Sequence, residues 1–321
     1  MLNFEYWFLN FDMITSVKDI LTKAKEGGYA VGAFNTTNME TTRAIIEAAK
    51  ELRSPVVIQI TEKTMEYAGG RQIFSIVKNM AELYAPEIPI GIHLDHGKSF
   101  DICKRCVEIG FNSVMIDGSR KKLRDNIEVT KNVVEYAHGK GVDVQGELGS
   151  VPYIGEMEAG EVDWDKYMTD PDEAVEFVEK TGIDTLAVAI GNAHGFVKER
   201  SVPDYERLEK IRAKISVPIV LHGASDWEKE RIDEVVKRGV SCFNVDTATR
   251  VAFINSVIKT VRSKNEVSFD IRRILGDAQE EVKKTVMKKM EDFCSSGKCV
   301  VSGKPNENDD YAVKSDEVNE E

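Results

Sequence analysis

From Tyr29 onward the chain alternates short apolar runs with longer amphipathic ones eight times, and this alternation restricts the fold more than any other feature. The runs read as strands are Ala30–Phe34, Val56–Ile60, Ile90–Leu94, Ser113–Ile116, Val142–Glu147, Thr185–Ile190, Ile219–Leu221 and Cys242–Val245. They are β-branched and apolar on both faces, as parallel strands covered on both sides are. The helical patterns between them are Met39–Leu52, Ile73–Tyr84, Phe100–Ile109, Leu123–Ala137, Pro171–Lys180, Asp204–Ile215, Glu228–Arg238 and Thr249–Arg262. Asp170-Pro171 supplies an N-cap and a proline at the first helical position. Gly110, Gly182 and Gly239 end helices just before the next strand. Eight βα units in about 250 residues is the count and length of a TIM (β/α)8 barrel. A doubly wound sheet is the alternative. Polar residues at the C-terminal ends of many strands, rather than at one switch point, favour the barrel.

Further helices are expected at both ends. One starts at Met13, with Ser16 as its cap and Gly27-Gly28 as its stop; the other covers Asp277–Phe293. The organisation expected is an extra segment over residues 1–12, a single barrel domain over 13–300 and an acidic, disordered tail over 306–321. The stretch Gly149–Thr169 fits neither strand nor helix, and a loop that long in a compact domain is usually a lid.

The balance of 43 Lys plus Arg against 55 Asp plus Glu, a net charge of −12, argues against nucleic-acid or anionic-membrane partners. No apolar run reaches the roughly 18 residues that span a bilayer, and the opening segment lacks the basic start of a signal peptide. The five cysteines, an odd number, fit reduced thiols and a cytoplasmic protein. Cys103 and Cys106 form a lone C-x-x-C, expected to have one buried and one partly exposed thiol; Cys294 and Cys299 carry no companion histidine.

Three of only five histidines stand just past an apolar strand: the His93-Leu94-Asp95-His96 segment, His194 and His222. In a barrel these strand ends converge on one mouth. Three imidazoles and an open position make a catalytic zinc site. His93 competes with His96 for the first ligand position. Strand alternation makes His93 a buried histidine, whereas His96 lies beyond the strand and is followed by Gly97. His138 ends a helix and is expected to be exposed. Asp95, next to a ligand, suits proton transfer, or else it orients an imidazole. Asp117 and Glu147 are carboxylate partners of a second metal position or support the ligands. Gly223-Ala224-Ser225 and Asp246-Thr247 open helices after strands seven and eight, the usual phosphate site of this fold, with Lys198 adding positive charge. No GxGxxG or Walker pattern is present, so no nucleotide cofactor is indicated.

Seven ordered segments resemble the class II, metal-dependent fructose-bisphosphate aldolases and their tagatose-bisphosphate relatives. They are Gly32-Ala33-Phe34-Asn35, His93-Leu94-Asp95-His96-Gly97, Met115-Ile116-Asp117-Gly118-Ser119, Gly146-Glu147-Leu148-Gly149, Gly191-Asn192-Ala193-His194-Gly195, Leu221-His222-Gly223-Ala224-Ser225 and Asn244-Val245-Asp246-Thr247. The resemblance covers roughly Met13 to Lys298. It implies His96, His194 and His222 as ligands of one catalytic Zn²⁺, with Glu147 and Asp117 beside it and room for a second or a monovalent cation. It implies Asp95 as the catalytic acid and Asn35, Thr61, Gly195, Lys198, Gly223, Ser225, Asn244, Asp246 and Thr247 as substrate contacts. Asp270-Ile271-Arg272 is similar to a family segment whose arginine binds the second phosphate, which assigns that role to Arg272.

Two segments depart from the family pattern. Gly223-Ala224-Ser225-Asp226 replaces a Gly-Gly-Ser/Thr-Gly run, so Asp226 should point away from the phosphate or cap its helix. Ser150 through Glu156 replaces a Gly-rich lid, leaving Glu156, then Glu158, as candidate lid base. The implied reaction is the glycolytic and gluconeogenic cleavage of fructose 1,6-bisphosphate to dihydroxyacetone phosphate and glyceraldehyde 3-phosphate through a metal-stabilised enediolate. Tagatose 1,6-bisphosphate cleavage uses the same parts, and a zinc hydrolase on the same barrel is the more remote alternative. No lysine at a strand end offers a Schiff-base route. The relatives are homodimers or homotetramers.

Overall fold

The computed structural model describes residues 14–151, 164–193, 203–223, 225–262 and 270–299. Eight parallel strands close on themselves in sequence order, forming the TIM barrel. They are β1 (Val31–Asn35), β2 (Val56–Thr61), β3 (Ile90–Gly97), β4 (Ser113–Ile116), β5 (Asp143–Leu148), β6 (Thr185–Val188), β7 (Ile219–Leu221) and β8 (Val240–Val245). Closure is made where Ala33 of β1 lies opposite both Val57 of β2 and Asn244 of β8.

The described helices are α1 (Val17–Gly27), α2 (Met39–Glu51), α3 (Glu62–Ala68), α4 (Gly70–Tyr84), α5 (Phe100–Ile109), α6 (Leu123–His138), α7 (Pro171–Thr181), α8 (Tyr205–Lys214), α9 (Lys229–Lys237), α10 (Thr247–Arg262) and α11 (Ile271–Asp292). Their punctuation matches the sequence. Ser16 accepts the Asp19 N–H, Gly28 takes the left-handed conformation after α1, and Asp170 accepts the N–H groups of Asp172 and Glu173.

The core has two parts. The larger fills the space between strands and outer helices, with Ile45, Ile58, Ile92, Phe177 and Phe243 fully buried. The smaller seals the N-terminal end of the barrel. There Val17, Ile20, Leu21 and Ala24 of α1 meet Val31, Ala33, Val57, Ala187, Val220 and Cys242. Burying a side chain such as Leu21 stabilises by about 1.5–3 kcal/mol. With that end plugged by apolar residues, the polar groups collect at the opposite, C-terminal mouth.

A polar latch holds the plug. Ser16 Oγ and the Lys18 N–H donate to Asp143 Oδ2, at 2.8 and 3.0 Å. Lys18 Nζ lies 2.9 Å from Asp184 Oδ1. Asp184 Oδ2 also accepts from the Val144 N–H and His138 Nε2, both at 2.8 Å. Burial opposes the Asp184 charge, but these donors outweigh it and hold the carboxyl below its ordinary value. A carboxyl depressed in the folded state contributes stability above its unfolded pKa, near 3.9, and loses it as pH falls through the folded value. Asp143 is shifted the other way, first by burial, so it contributes with the opposite sign. Replacing Asp184 with Ala is expected to cost about 1–3 kcal/mol at pH 7, because the buried Val144 N–H loses its side-chain acceptor. Urea titrations from pH 6 to pH 2 check this: the gap between variant and wild type should narrow as pH falls below about 4. A constant gap would show that packing, not charge, sets the loss.

Four sequence expectations need correction. α3 was unforeseen: no helix was read between the second strand and Ile73, but Thr61 caps a short one there. β3 runs on through His96, which lies within the strand and not beyond it. The last helix starts at Ile271, capped by Asp270, rather than at Asp277. Cys103 and Cys106 are both buried, and burial raises both thiol pKa values, Cys106 to about 12. No described helix is long and apolar enough to cross a membrane. Segments 1–12 and 306–321 lie outside the described residues.

Candidate metal centre

The site depends on a defect in one strand pair. Leu94 lies opposite Val114 and Gly97 opposite Ile116, so Asp95 and His96 together oppose the single residue Met115. Such a bulge re-aims a side chain and is common beside active sites. His96 takes a φ of +50°, in the left-handed region that non-glycine residues seldom occupy. Strand alternation would point Asp95 and His96 to opposite faces; the bulge brings both to the mouth. Gly97 is required there: a Cβ would fall 2.5 Å from the Met115 carbonyl oxygen. The Asp117 N–H then donates to the Gly97 carbonyl at 2.8 Å, resuming the ladder.

Around the bulge the groups converge. His96 Nε2 lies 3.0 Å from His222 Nδ1, with the rings edge to face at 87°. Asp95 Oδ1 is 3.9 Å from His96 Nε2. On its other side, His96 Nδ1 is 2.9 Å from Asp117 Oδ2 and 3.7 Å from Glu147 Oε2. Two sets of potential ligand atoms therefore share His96: Asp95, His96 and His222, and His96, Asp117 and Glu147.

The electrostatics fit a cation. Burial opposes charge on His96, but Asp95, Asp117 and Glu147 outweigh it and raise the imidazole to about 10. Burial would raise Asp117, but the His96 ring and two Ser119 donors outweigh it and lower the carboxyl to about 2. Glu147 is raised to about 8, first by burial, and among the described residues its buried Oε2 has no hydrogen-bond donor. Imidazole nitrogens and carboxylate oxygens gathered this closely are the donor types of a divalent transition metal.

Asp95 is fixed from behind by three amides. Asn35 Nδ2 donates to Oδ2 at 2.8 Å; Asn244 and Gln59 donate to Oδ1 at 3.3 and 3.5 Å. His93 is buried as expected, with Nδ1 2.8 Å from Ser113 Oγ, and burial lowers its pKa to about 4. Among the described residues its Nε2 has no hydrogen-bond partner.

The other expected residues are distributed as follows. Asn35 and Asn244 stand at the centre, as above. Thr61 caps α3, its Oγ1 accepting the Thr64 N–H at 3.2 Å. Gly223 has a φ of +66° and Ser225 is buried. Asp246 and Thr247 open α10, where Asp246 pairs with Arg250 at 3.2 Å. Asp226 does not cap α9, whose N-cap is Glu228; its charge is felt by Lys289 of α11. Arg272 is placed at the start of α11. It is almost fully exposed in the first turn of α11 and pairs with Asp270 at 3.1 Å. His138, exposed as expected, belongs to the latch. His194, Gly195, Lys198, Glu156 and Glu158 lie outside the described residues.

Three residues of the site escape the sequence reading. Gln59 is the lone polar residue of an otherwise apolar strand, which was the available signal, whereas Gln145 alternates with Asp143 and Glu147 and does not stand out. Asn126 of α6 donates to the Glu147 carbonyl at 2.9 Å, and nothing local marks it. The roots of the long loop are pinned as well: Ser150 N–H donates to the Tyr167 carbonyl, and Thr169 exchanges hydrogen bonds with Ala189, all at 2.9 Å.

Comparison with known proteins gives one consistent result. The family model described as "Fructose-bisphosphate aldolase class-II" matches residues 15–298. A fructose-bisphosphate aldolase of Geobacillus stearothermophilus is 41% identical over 286 residues, 89% of this chain and 98% of that protein. One from Staphylococcus epidermidis is 40% identical over 288 residues, 89% of this chain and 99% of that protein. The crystal structure of the YdjI aldolase from Escherichia coli K12 superposes with a TM-score of 0.78 at 30% identity, covering 89% of this chain and all of that one (100%).

Proposed function

Because the chain belongs to the class II fructose-bisphosphate aldolase family, we propose that it reversibly cleaves fructose 1,6-bisphosphate to dihydroxyacetone phosphate and glyceraldehyde 3-phosphate. The family is metal-dependent, and the ion proposed here is a single Zn²⁺. His96 Nε2 and His222 Nδ1 would hold it together with His194, with Glu147 and Asp117 close by. Bound there, the cation supplies Lewis-acid stabilisation of the negative charge that develops at the substrate carbonyl. The single observation that carries the reading is the pair of imidazole nitrogens facing each other at 3.0 Å above an amide-clamped carboxylate.

The residues divide the remaining work. In cleavage Asp95 accepts the proton of the C4 hydroxyl as the C3–C4 bond breaks and the C4 oxygen becomes an aldehyde. In condensation it returns that proton. Asn35, Gln59 and Asn244 keep the carboxylate from rotating onto the ligands. The proton at C3 is moved by a lid carboxylate, for which Glu156 is the first choice and Glu158 the second. Gly223, Ser225, Asp246 and Thr247 would seat the first phosphate with Gly195 and Lys198. Turnover of fructose and tagatose 1,6-bisphosphates side by side tests the substrate: a larger kcat/KM for tagatose would overturn the preference stated here.

The second phosphate is assigned to Arg272, reaching the mouth of a neighbouring copy in a homodimer or homotetramer. Val251, Ile254 and Ile258 form an exposed apolar stripe on α10, and Ile271, next to Arg272, is exposed as well. Such a face supports association with a second copy. Arg272→Ala is expected to raise KM for the bisphosphate about 10–100-fold, from about 1.5–3 kcal/mol for hydrogen bonds to a charged group. Proton exchange on dihydroxyacetone phosphate alone should be little changed. Equal losses in both assays would show that Arg272 supports the fold instead. A cytoplasmic setting is supported by the free thiols of Cys103, Cys106, Cys242, Cys294 and Cys299.

A further inference from the structure

His222 is fully buried and approached at Nε2 by two amides of opposite character. Gln145 Oε1, an acceptor, lies 3.3 Å away, and Asn244 Nδ2, a donor, lies 3.0 Å away. A neutral imidazole carries one N–H, so its Nε2 can satisfy only one of them. If Nε2 is protonated it donates to Gln145, and the Nδ1 lone pair is directed at His96 Nε2, where a cation would lie. If Nε2 is bare it accepts from Asn244, and Nδ1 carries the proton into that same space. The two tautomers differ in whether the ring can ligate at all.

Gln145 is built to hold one orientation. It sits on β5 two residues before Glu147, so both side chains face into the barrel, and it is 3% exposed. Its Nε2 donates to Thr185 Oγ1 at 3.4 Å, which turns Oε1 toward His222. The ring itself is steadied because Asn192 Nδ2 donates to the His222 carbonyl at 2.9 Å. Asn244, by contrast, has a second acceptor: its Nδ2 also reaches Asp95 Oδ1 at 3.3 Å. Losing His222 as an acceptor therefore does not strand its N–H.

We propose that Gln145 is a positioning residue that selects the Nε2–H tautomer of His222 and so makes Nδ1 the metal-ligating atom, with Asn244 holding the competing tautomer. This rests on the metal-centre reading above. It adds a consequence to it: when the Nε2–H tautomer forms, the Asn244 amide is committed to Asp95, so ligation at His222 and clamping of the proton-transfer carboxylate are coupled through one side chain. Removing such a partner of a ligating histidine typically weakens metal binding by 10–100-fold.

The test uses zinc alone as the probe, on the full chain stripped by a chelator, with the dissociation constant read by chelator competition. Gln145→Met removes the acceptor at nearly the same volume and should weaken zinc about 10–100-fold. Gln145→Glu restores an acceptor and should bind within a few-fold of wild type or more tightly. Long-range ¹H–¹⁵N NMR should show His222 protonated at Nε2 in the zinc-loaded wild type and shifted toward Nδ1–H in metal-free Gln145→Met. Equal affinity of Gln145→Met and wild type, or equal weakening by Met and Glu, overturns the proposal. So does a His222 Nε2 without its proton in the loaded wild type, a result that needs no variant to fold. A wild-type chain that binds no zinc overturns the metal-centre reading itself. The tautomer ratio in metal-free wild type and Gln145→Met then still decides whether Gln145 sets it.

Discussion

Alanine in place of Asp95 is expected to lower kcat about 10²–10⁴-fold while zinc content stays at the wild-type level. Both oxygens of the carboxylate are taken up by amide donors from Asn35, Gln59 and Asn244. Its loss removes a proton carrier and leaves the imidazole pair in place. Asn35, Gln59 and Asn244 would then lose an acceptor in a buried layer, costing about 1–3 kcal/mol of stability. Asp95→Asn separates the two effects, since it keeps the shape and loses the proton transfer. The measurement is kcat together with metal content of each purified variant. Metal content falling in step with activity would make Asp95 a ligand or its support, and the proton-transfer role would be wrong.

The barrel was legible because its strands are punctuated by residues with one conformational meaning. Asp170-Pro171 and Gly182 delimit α7 at the residues expected of them. His96 was preferred to His93 as the candidate ligand for lying past the strand, whereas it lies within β3 at a bulge. Sequence alternation cannot foresee that two residues of β3 oppose one of β4, because a bulge belongs to a strand pair and not to a strand. Gln145 was missed for a related cause. Its meaning lies in His222, which reaches it across the barrel from a strand that is not its neighbour. Arg272 shows the limit in the other direction: its motif was readable, yet the side chain is exposed and, among the described residues, pairs with Asp270 of its own helix cap.

Removing the metal tests the central claim most directly. His96 Nε2 faces His222 Nδ1 and Asp95, and His96 Nδ1 faces Asp117 and Glu147, so two sets of potential ligand atoms meet at one imidazole. The barrier reduction asked of the Lewis acid is several kcal/mol, and each 1.36 kcal/mol is tenfold in rate. The wild-type chain is stripped with a chelator, dialysed, and assayed for cleavage of fructose 1,6-bisphosphate before and after zinc is restored. The account predicts a loss of about 10³-fold or more on stripping and recovery with about one equivalent of zinc. Full turnover by the metal-free chain would contradict it.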